Sequence, residues 1–233
     1  MIRKKFYVIF CKSLLVCVFA VMVIGACSGV GVIRGIIASA PTIDDIVATP
    51  TGFLSTVLDA NGNQTATLVA SGSNRRAVTI DEIPKNLQHA FVAIEDERFY
   101  EHNGIDVTGI IRAGVKGVAS GFHFSEGAST ITQQLLKNTV FTSWTSESSM
   151  ADKFERKFQE QYLALQLEKV VDKDWILENY LNAINLGQNT LGVGVASERY
   201  FGKDVSDLTL SECAVLAAIT QNPSKYNPIT NPQ

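Results

Sequence analysis

Little in this chain suits disulfide bonding or a histidine-cysteine metal site. Of its four cysteines, Cys11, Cys17 and Cys27 fall in or beside one apolar run, which leaves Cys213 as the only thiol of the remainder and excludes an internal disulfide there. The apolar neighbours Ala214-Val215-Leu216-Ala217-Ala218 make Cys213 a small buried hydrophobe by default. The three histidines, His89, His102 and His123, have no metal-ligand spacing, and His102 reads as a hydrogen-bonding structural residue. A basic excess is missing too: 20 Lys+Arg stand against 23 Asp+Glu, for a formal net charge of -3, so there is no nucleic-acid footprint. There is no internal repeat and no low-complexity tract. At 46% hydrophobic residues the chain is too apolar to stay disordered.

Charge is absent altogether from Ser13 to Ile33, a run of 21 residues. As a helix it reaches about 30 Å, the thickness of a bilayer core, so it predicts a single transmembrane anchor. Arg3, Lys4, Lys5 and Lys12 precede the run and only Arg34 follows closely, which places the N-terminus in the cytoplasm and the rest outside. A cleavable signal ending at Ala38-Ser39-Ala40 would need a shorter apolar core, and a lipid anchor on Cys27 would be followed by polar residues. The expected organisation is a cytoplasmic 1–12, an anchor at 13–33, a linker at 34–53 and one extracytoplasmic domain at 54–233.

Within that domain, Thr56 to Val69 places Asn61-Gly62 between two β-prone arms and predicts a hairpin with a two-residue turn. Beyond Ile83-Pro84 the period becomes helical. Leu87, Ala90, Phe91 and Ile94 recur at spacings of three and four, as do Ile176, Leu177, Tyr180, Leu181 and Ile184. Thr130-x-x-Gln133 and Thr209-x-x-Glu212 have the form of capping boxes, and Gly187, Gly192 and Gly202 punctuate the region between them. The segment Thr142–Ser149 reads as a mobile connector with Trp144 exposed or dipping into lipid. The fold class is therefore mainly α, with a small N-terminal β-hairpin.

Three polar clusters could carry chemistry. Glu95-Asp96-Glu97-Arg98-Phe99-Tyr100-Glu101-His102 ends an amphipathic helix whose Phe91 and Ile94 point inward, so Glu95 borders an apolar wall. Such a border raises a carboxylate's pKa and suits acid–base work on a sugar hydroxyl. A solvated helix end with ordinary ion pairs is the default reading of these residues alone. Gly127 to Asn138 is a glycine approach to a capped helix start, where free backbone N–H groups would suit phosphate, with Lys137 one turn beyond Gln133 on the same face. Mutual capping of Thr130 and Gln133 explains the same pattern. In Arg156-Lys157-Phe158-Gln159-Glu160, Arg156 and Glu160 share a helical face. On a surface the pair is worth little; on a cleft it adds a second carboxylate and two cations, which suits departure of a pyrophosphate.

The order and spacing of these clusters resemble the peptidoglycan glycosyltransferase family (glycosyltransferase family 51), the transglycosylase domain of class A penicillin-binding proteins and of monofunctional wall polymerases. Glu95-Asp96-x-x-Phe99-x-x-His102-x-Gly104 is similar to the family's first motif. Gly127-x-Ser129-Thr130-Ile131-Thr132-Gln133-Gln134-x-x-Lys137-Asn138 is similar to the second, and Arg156-Lys157-x-x-Glu160 to the third. Lys173-x-x-Ile176-Leu177-x-x-Tyr180-Leu181-Asn182 resembles the fourth, and Leu210-Ser211-Glu212-x-Ala214-x-Leu216-Ala217 with Asn222-Pro223-Ser224-x-Tyr226-Asn227-Pro228 a fifth region. Two positions depart from the pattern: Ala128 stands where many members have Gly, and Asp152 beside Lys153 where a further basic residue is common.

The resemblance implies a lysozyme-like, two-lobed fold with a membrane-facing smaller lobe. It implies polymerisation of lipid II into glycan strands, with inversion at the anomeric carbon and release of undecaprenyl pyrophosphate. By the same resemblance Glu95 is the general base and Glu160 the second catalytic carboxylate, assisting the pyrophosphate directly or through a divalent cation (Mg2+ or Mn2+). Asp96, His102, Ser129, Thr130, Gln133, Gln134, Lys137, Asn138, Arg156 and Lys157 carry over as substrate contacts. The implied partners are lipid II, the growing lipid-linked strand, the bilayer and other cell-wall synthesis proteins. No Ser-x-x-Lys tetrad occurs, so no acylase of the penicillin-binding type is expected within these residues, and the chain reads as a monofunctional polymerase or the N-terminal part of a bifunctional protein. A lysozyme-like glycan-cleaving enzyme or a non-catalytic wall scaffold is the alternative.

Overall fold

A computed structural model of the chain describes residues 2–43, 48–70, 72–121, 127–223 and 225–231. The expectations that touch His123, Ser224 and linker residues 44–47 lie outside them. The apolar run forms the middle of one long helix, α1 (Ile2–Ala38). Its side chains from Phe10 to Gly35 are exposed on every side. Phe10–Ala38 is, among the described residues, the one stretch long and apolar enough to cross a membrane. An all-round apolar helix with no protein around it is satisfied only by a solvent as apolar as itself. Where 34–53 was expected as a linker, the helix continues to Ala38 and docks there: Gln159 Nε2 donates to Ile36 O (3.3 Å) and Ser39 Oγ (3.1 Å), and Ser39 Oγ donates to Glu155 (3.1 Å).

The hairpin is present, with strands β1 (Ser55–Leu58) and β2 (Gln64–Leu68) paired antiparallel. Its turn is longer than the two residues expected. Gly62 N–H donates back to Asp59 O (3.0 Å) and Gly62 stands at φ 84°, so Ala60-Asn61 form the corner and the glycine takes a left-handed bulge position. The cause is Asp59, whose carboxylate accepts the N–H groups of Asn61 and Asn63 (2.8 Å each). Both faces of the hairpin are exposed.

The rest is helical: α2 (Lys85–Glu95), α3 (Val107–Ala119), α4 (Ile131–Thr139), α5 (Met150–Leu167), α6 (Lys173–Ala183), α7 (Val193–Phe201) and α8 (Leu210–Gln221), with 3-10 turns at Thr142–Ser146 and Val205–Asp207. Helix α4 lies centrally, packed on α5 and α6, while α2 packs on α8. Ile131, Leu135 and Leu136 of α4 meet Leu163, Ile176, Leu177 and Leu181 in a fully buried core. Phe91 packs edge-to-face on Tyr180 (ring centroids 6.3 Å apart), joining α2 to α6. Cys213 is buried as expected, and burial pushes its thiol pKa up.

Helix ends follow local rules with one exception. Thr209 and Glu212 make the full reciprocal capping box, and Gly202 ends α7 in the left-handed conformation. Thr130 accepts from Gln133 N–H (3.2 Å), but the Gln133 side chain turns inward and donates to Gly104 O (3.3 Å), so the second half of that box is absent. The fourth motif is a structural tie. Asn182 pairs with the Val78 backbone in both directions (3.0 and 2.7 Å), and the buried Arg75 donates to Asn182 O (2.7 Å), which fastens the segment before α2 onto α6. Lys173 sits 2.7 Å from Glu168 and 4.4 Å above the Phe99 ring.

Candidate active site

Helix α2 ends at Glu95, and the turns that follow bury Phe99 and return the chain to Gly104. Gly104 stands at φ +92°, and a Cβ there would fall 2.6 Å from the Ala164 backbone of α5, so only glycine fits. His102 spans this turn. Its Nδ1 accepts from Gly104 N–H (3.2 Å), which leaves the proton on Nε2 to be donated to Asp96 (3.0 Å). Asp96 is buried and also accepts the backbone N–H of Ile131 (2.9 Å), the first residue of α4.

The start of α4 therefore differs from the expectation. A free helix N-terminus would attract phosphate, but Asp96 already occupies one of its N–H groups and the Thr130 hydroxyl another. The anion at this helix start is the protein's own carboxylate. Asp96, His102, Thr130 and Gln133 act among themselves and with Gly104, fixing the first motif against the second.

Other residues of α4 face outward. Glu95, Gln134 and Lys137 are shared by two adjoining cavities of about 600 and 350 Å³. Gln134 Nε2 donates to Glu95 (2.8 Å) and so orients the carboxylate at their junction. The larger cavity is closed by Ser129 on one side and by Arg112 and Lys116 of α3 on the other; the smaller runs past Asn138 and Trp144 to Tyr180 and Asn185. Ile94, expected in the core, is instead exposed and lines the larger cavity. Gln133, expected on the face of Lys137, is buried one residue away from the cleft face that Gln134 occupies.

The third motif lies on α5. Glu160 has no exposed surface; Arg156 pairs with one of its oxygens and Lys157 Nζ with the other (2.7 Å). Arg156 Nε is held in turn by Glu147 (2.7 and 3.0 Å), and Lys157 Nζ reaches Ser129 Oγ (3.2 Å). Lys137 completes this positive wall. Burial lowers its pKa first, and the neighbouring charge of Lys157 lowers it further.

This donor set does not fit a resident divalent cation. Among the described residues no three His, Cys, Asp or Glu side chains come together so as to hold a metal ion. The carboxylates nearest the cleft are engaged: Glu95 by Gln134, Glu160 by Arg156 and Lys157, and Glu97 by Arg98 and by Arg112 (2.6 Å).

Sequence reasoning passed over Arg112 and Lys116, although their spacing of four on an otherwise apolar helix was a usable signal. Trp144 is exposed, as one of its two expected placements had it, but the residue it meets was not foreseen. The Thr142–Ser149 stretch contains an ordered 3-10 turn, and the indole lies beneath Lys137, 4.6 Å from Nζ to the ring centroid.

A mostly helical domain behind an apolar helix, with one oriented carboxylate between two cavities and a cationic wall beside it, has the features of a group-transfer domain. The family model described as Transglycosylase matches residues 61–233, and the chain belongs to this family, the peptidoglycan glycosyltransferases of cell-wall synthesis. It is 44% identical over 221 residues to Penicillin-binding protein 1A of Clostridium perfringens, covering 94% of this chain and 31% of that protein. Penicillin-binding protein 1A of Clostridium acetobutylicum is 41% identical over 226 residues (95% of this chain, 27% of that protein). Penicillin-binding protein 1F of Bacillus subtilis is 46% identical over 179 residues (76% and 24%). The chain spans about a quarter to a third of the length of these relatives.

Proposed function

We propose that this chain polymerises lipid-linked disaccharide (lipid II) into glycan strands, with Glu95 as the general base. The observation that carries the reading is the place of Glu95, oriented by Gln134 at the junction of two cavities. The acceptor sugar occupies one cavity and the donor the other, so the acceptor 4-hydroxyl lies between Glu95 and the donor's anomeric carbon. Glu95 takes the hydroxyl proton, the oxygen forms a bond to the anomeric carbon, and the bond from that carbon to the pyrophosphate oxygen breaks on the opposite face. A single displacement inverts the anomeric centre, and undecaprenyl pyrophosphate leaves with the bonding pair.

Lys137, Lys157 and Ser129 meet the leaving pyrophosphate, with Arg112 and Lys116 on the facing wall. Gln134 and Asn138 complete the polar lining. Glu160 works through Arg156 and Lys157, holding both cations in place as their shared counter-ion. Removing it would leave Lys157 without its ion-pair partner and Arg156 held by Glu147 alone, so both cations would lose their shared anchor. A resident divalent cation has no part in this scheme, because the carboxylates that would hold one are already engaged.

Anchoring serves the same chemistry. The α1 helix crosses the bilayer with its N-terminus in the cytoplasm, and Val107, Ile111, Val115 and Val118 form an exposed apolar stripe along α3 that dips into the outer leaflet. Both substrates are confined to that surface, so the tether raises their effective concentration. The test is incorporation of labelled lipid II into gel-resolved strands by the detergent-purified chain and its Glu95→Gln variant. Strands from the native chain that disappear in the variant are expected. Strands that persist would remove Glu95 from its role, and soluble fragments from cell wall without lipid II would favour a lytic enzyme.

A further inference from the structure

Lys137 lacks the partner that a partly buried lysine usually has. Among the described residues no carboxylate stands within ion-pair distance of it; burial weighs on it most, and the like charges of Lys157 and Arg156 are opposed at longer range by Glu160 and Glu95. Such an ammonium needs something other than an ion pair to hold it in place. What faces it is the Trp144 indole, 4.6 Å from Nζ to the ring centroid. The indole's own place is fixed from α5, since Glu147, which follows the 3-10 turn, binds Arg156 Nε through both oxygens.

We propose that Trp144 is a positioning residue for Lys137, holding its ammonium in the cleft for the pyrophosphate; this rests on the functional reading above. The chemistry favours an aromatic face over a carboxylate at this point. A carboxylate would anchor the lysine but offset part of its charge, as Glu160 does for Lys157. A ring quadrupole attracts the cation and leaves its full charge available. It also shields one side of the ammonium from water, which strengthens its attraction to an incoming anion. Trp144 lies in the wall of the smaller cavity beside Asn138, so the platform and the lysine it holds open onto the same space.

The test measures binding of undecaprenyl pyrophosphate in detergent micelles to the full chain. Trp144→Leu keeps an apolar cover but removes the ring, and roughly tenfold weaker binding is expected from the usual strength of a desolvated cation–π contact. Trp144→Phe keeps a ring face, and binding within about threefold of the native chain is expected. In a Lys137→Met background, adding Trp144→Leu should change binding by less than about twofold, because the route through the lysine is already gone. Native-like binding by Trp144→Leu, or an equal loss in both backgrounds, would overturn the inference and leave the functional reading standing. Failure of the native chain to bind would take down the functional reading and the inference with it.

Discussion

Replacing Asp96 by asparagine changes one atom and tests how the catalytic cleft is held together. The native carboxylate accepts from His102 Nε2 and from Ile131 N–H, and the His102 proton is committed to Nε2 because Nδ1 accepts from Gly104 N–H. In Asp96→Asn an amide oxygen kept on Ile131 N–H still lies 3.0 Å from His102 Nε2, but the amide NH2 then takes the place of the other oxygen, 3.0 Å from the same Nε2–H, and meets a donor. Moving the histidine proton to Nδ1 relieves that clash but sets it against Gly104 N–H instead. One buried donor is thus left without an acceptor in either tautomer, at about 1–3 kcal/mol. Loss of the negative charge at the start of α4 adds about 0.3–1 kcal/mol. For a domain of this size each kcal/mol lowers Tm by about 2–4 °C, so a fall of roughly 3 to 16 °C is expected. The assay is near-UV circular dichroism on heating the detergent-purified chain. A fall below about 2 °C would refute the reasoning, since it would mean that neither the histidine nor the helix start depends on this carboxylate.

Three further outcomes are expected. Lys137 has its pKa held below the ordinary 10.5, so polymerisation should fall as pH rises through that lowered value, and Lys137→Arg should move the basic limb of the rate profile upward. Stability should run the other way: between the lowered value and 10.5 the unfolded chain binds more protons at this site than the folded one, so fold stability from Lys137 rises with pH, as denaturant titration at several pH values can check. Gly104→Ala combines a positive φ with a 2.6 Å approach to the Ala164 backbone and should cost at least about 3 kcal/mol, read as loss of soluble membrane-extracted protein. Excess chelator should lower the rate of strand synthesis by less than about tenfold, the equivalent of 1.4 kcal/mol, because Lys137, Arg112 and Lys116 supply positive charge in the cleft.

The sequence by itself determined whatever depends on near neighbours. The uncharged run became α1, the spacing of Leu87 and Phe91 buried those side chains, and Thr209 with Glu212 closed a capping box, because periodicity and capping act within one or two turns. The hairpin followed from its two β-prone arms, although Asp59 lengthened its turn by a side-chain hydrogen bond that the Asn-Gly signal does not carry. Glu95, Gln134 and Lys137 could be singled out by type and order.

Only the tertiary structure decided what each of these polar groups faces. Gln133 looked like a cleft residue and turned inward to Gly104, a partner 29 positions away, and Thr130 donates to the same carbonyl while still lining a small cavity with Glu95 and Ser129. The α4 start looked open to phosphate and was filled by Asp96 from 35 residues earlier. Glu160 could have been a solvated carboxylate, and packing of α5 against α4 buried it between two cations. Trp144 is exposed as expected, and the fold of Thr142–Ser146 decided that its ring lies against Lys137. Burial and long-range partners depend on which surfaces meet when helices pack, and residue type alone does not specify that: the same glutamate, lysine or indole is stable in water, in a salt bridge or against a ring, until the surrounding helices exclude all but one of these.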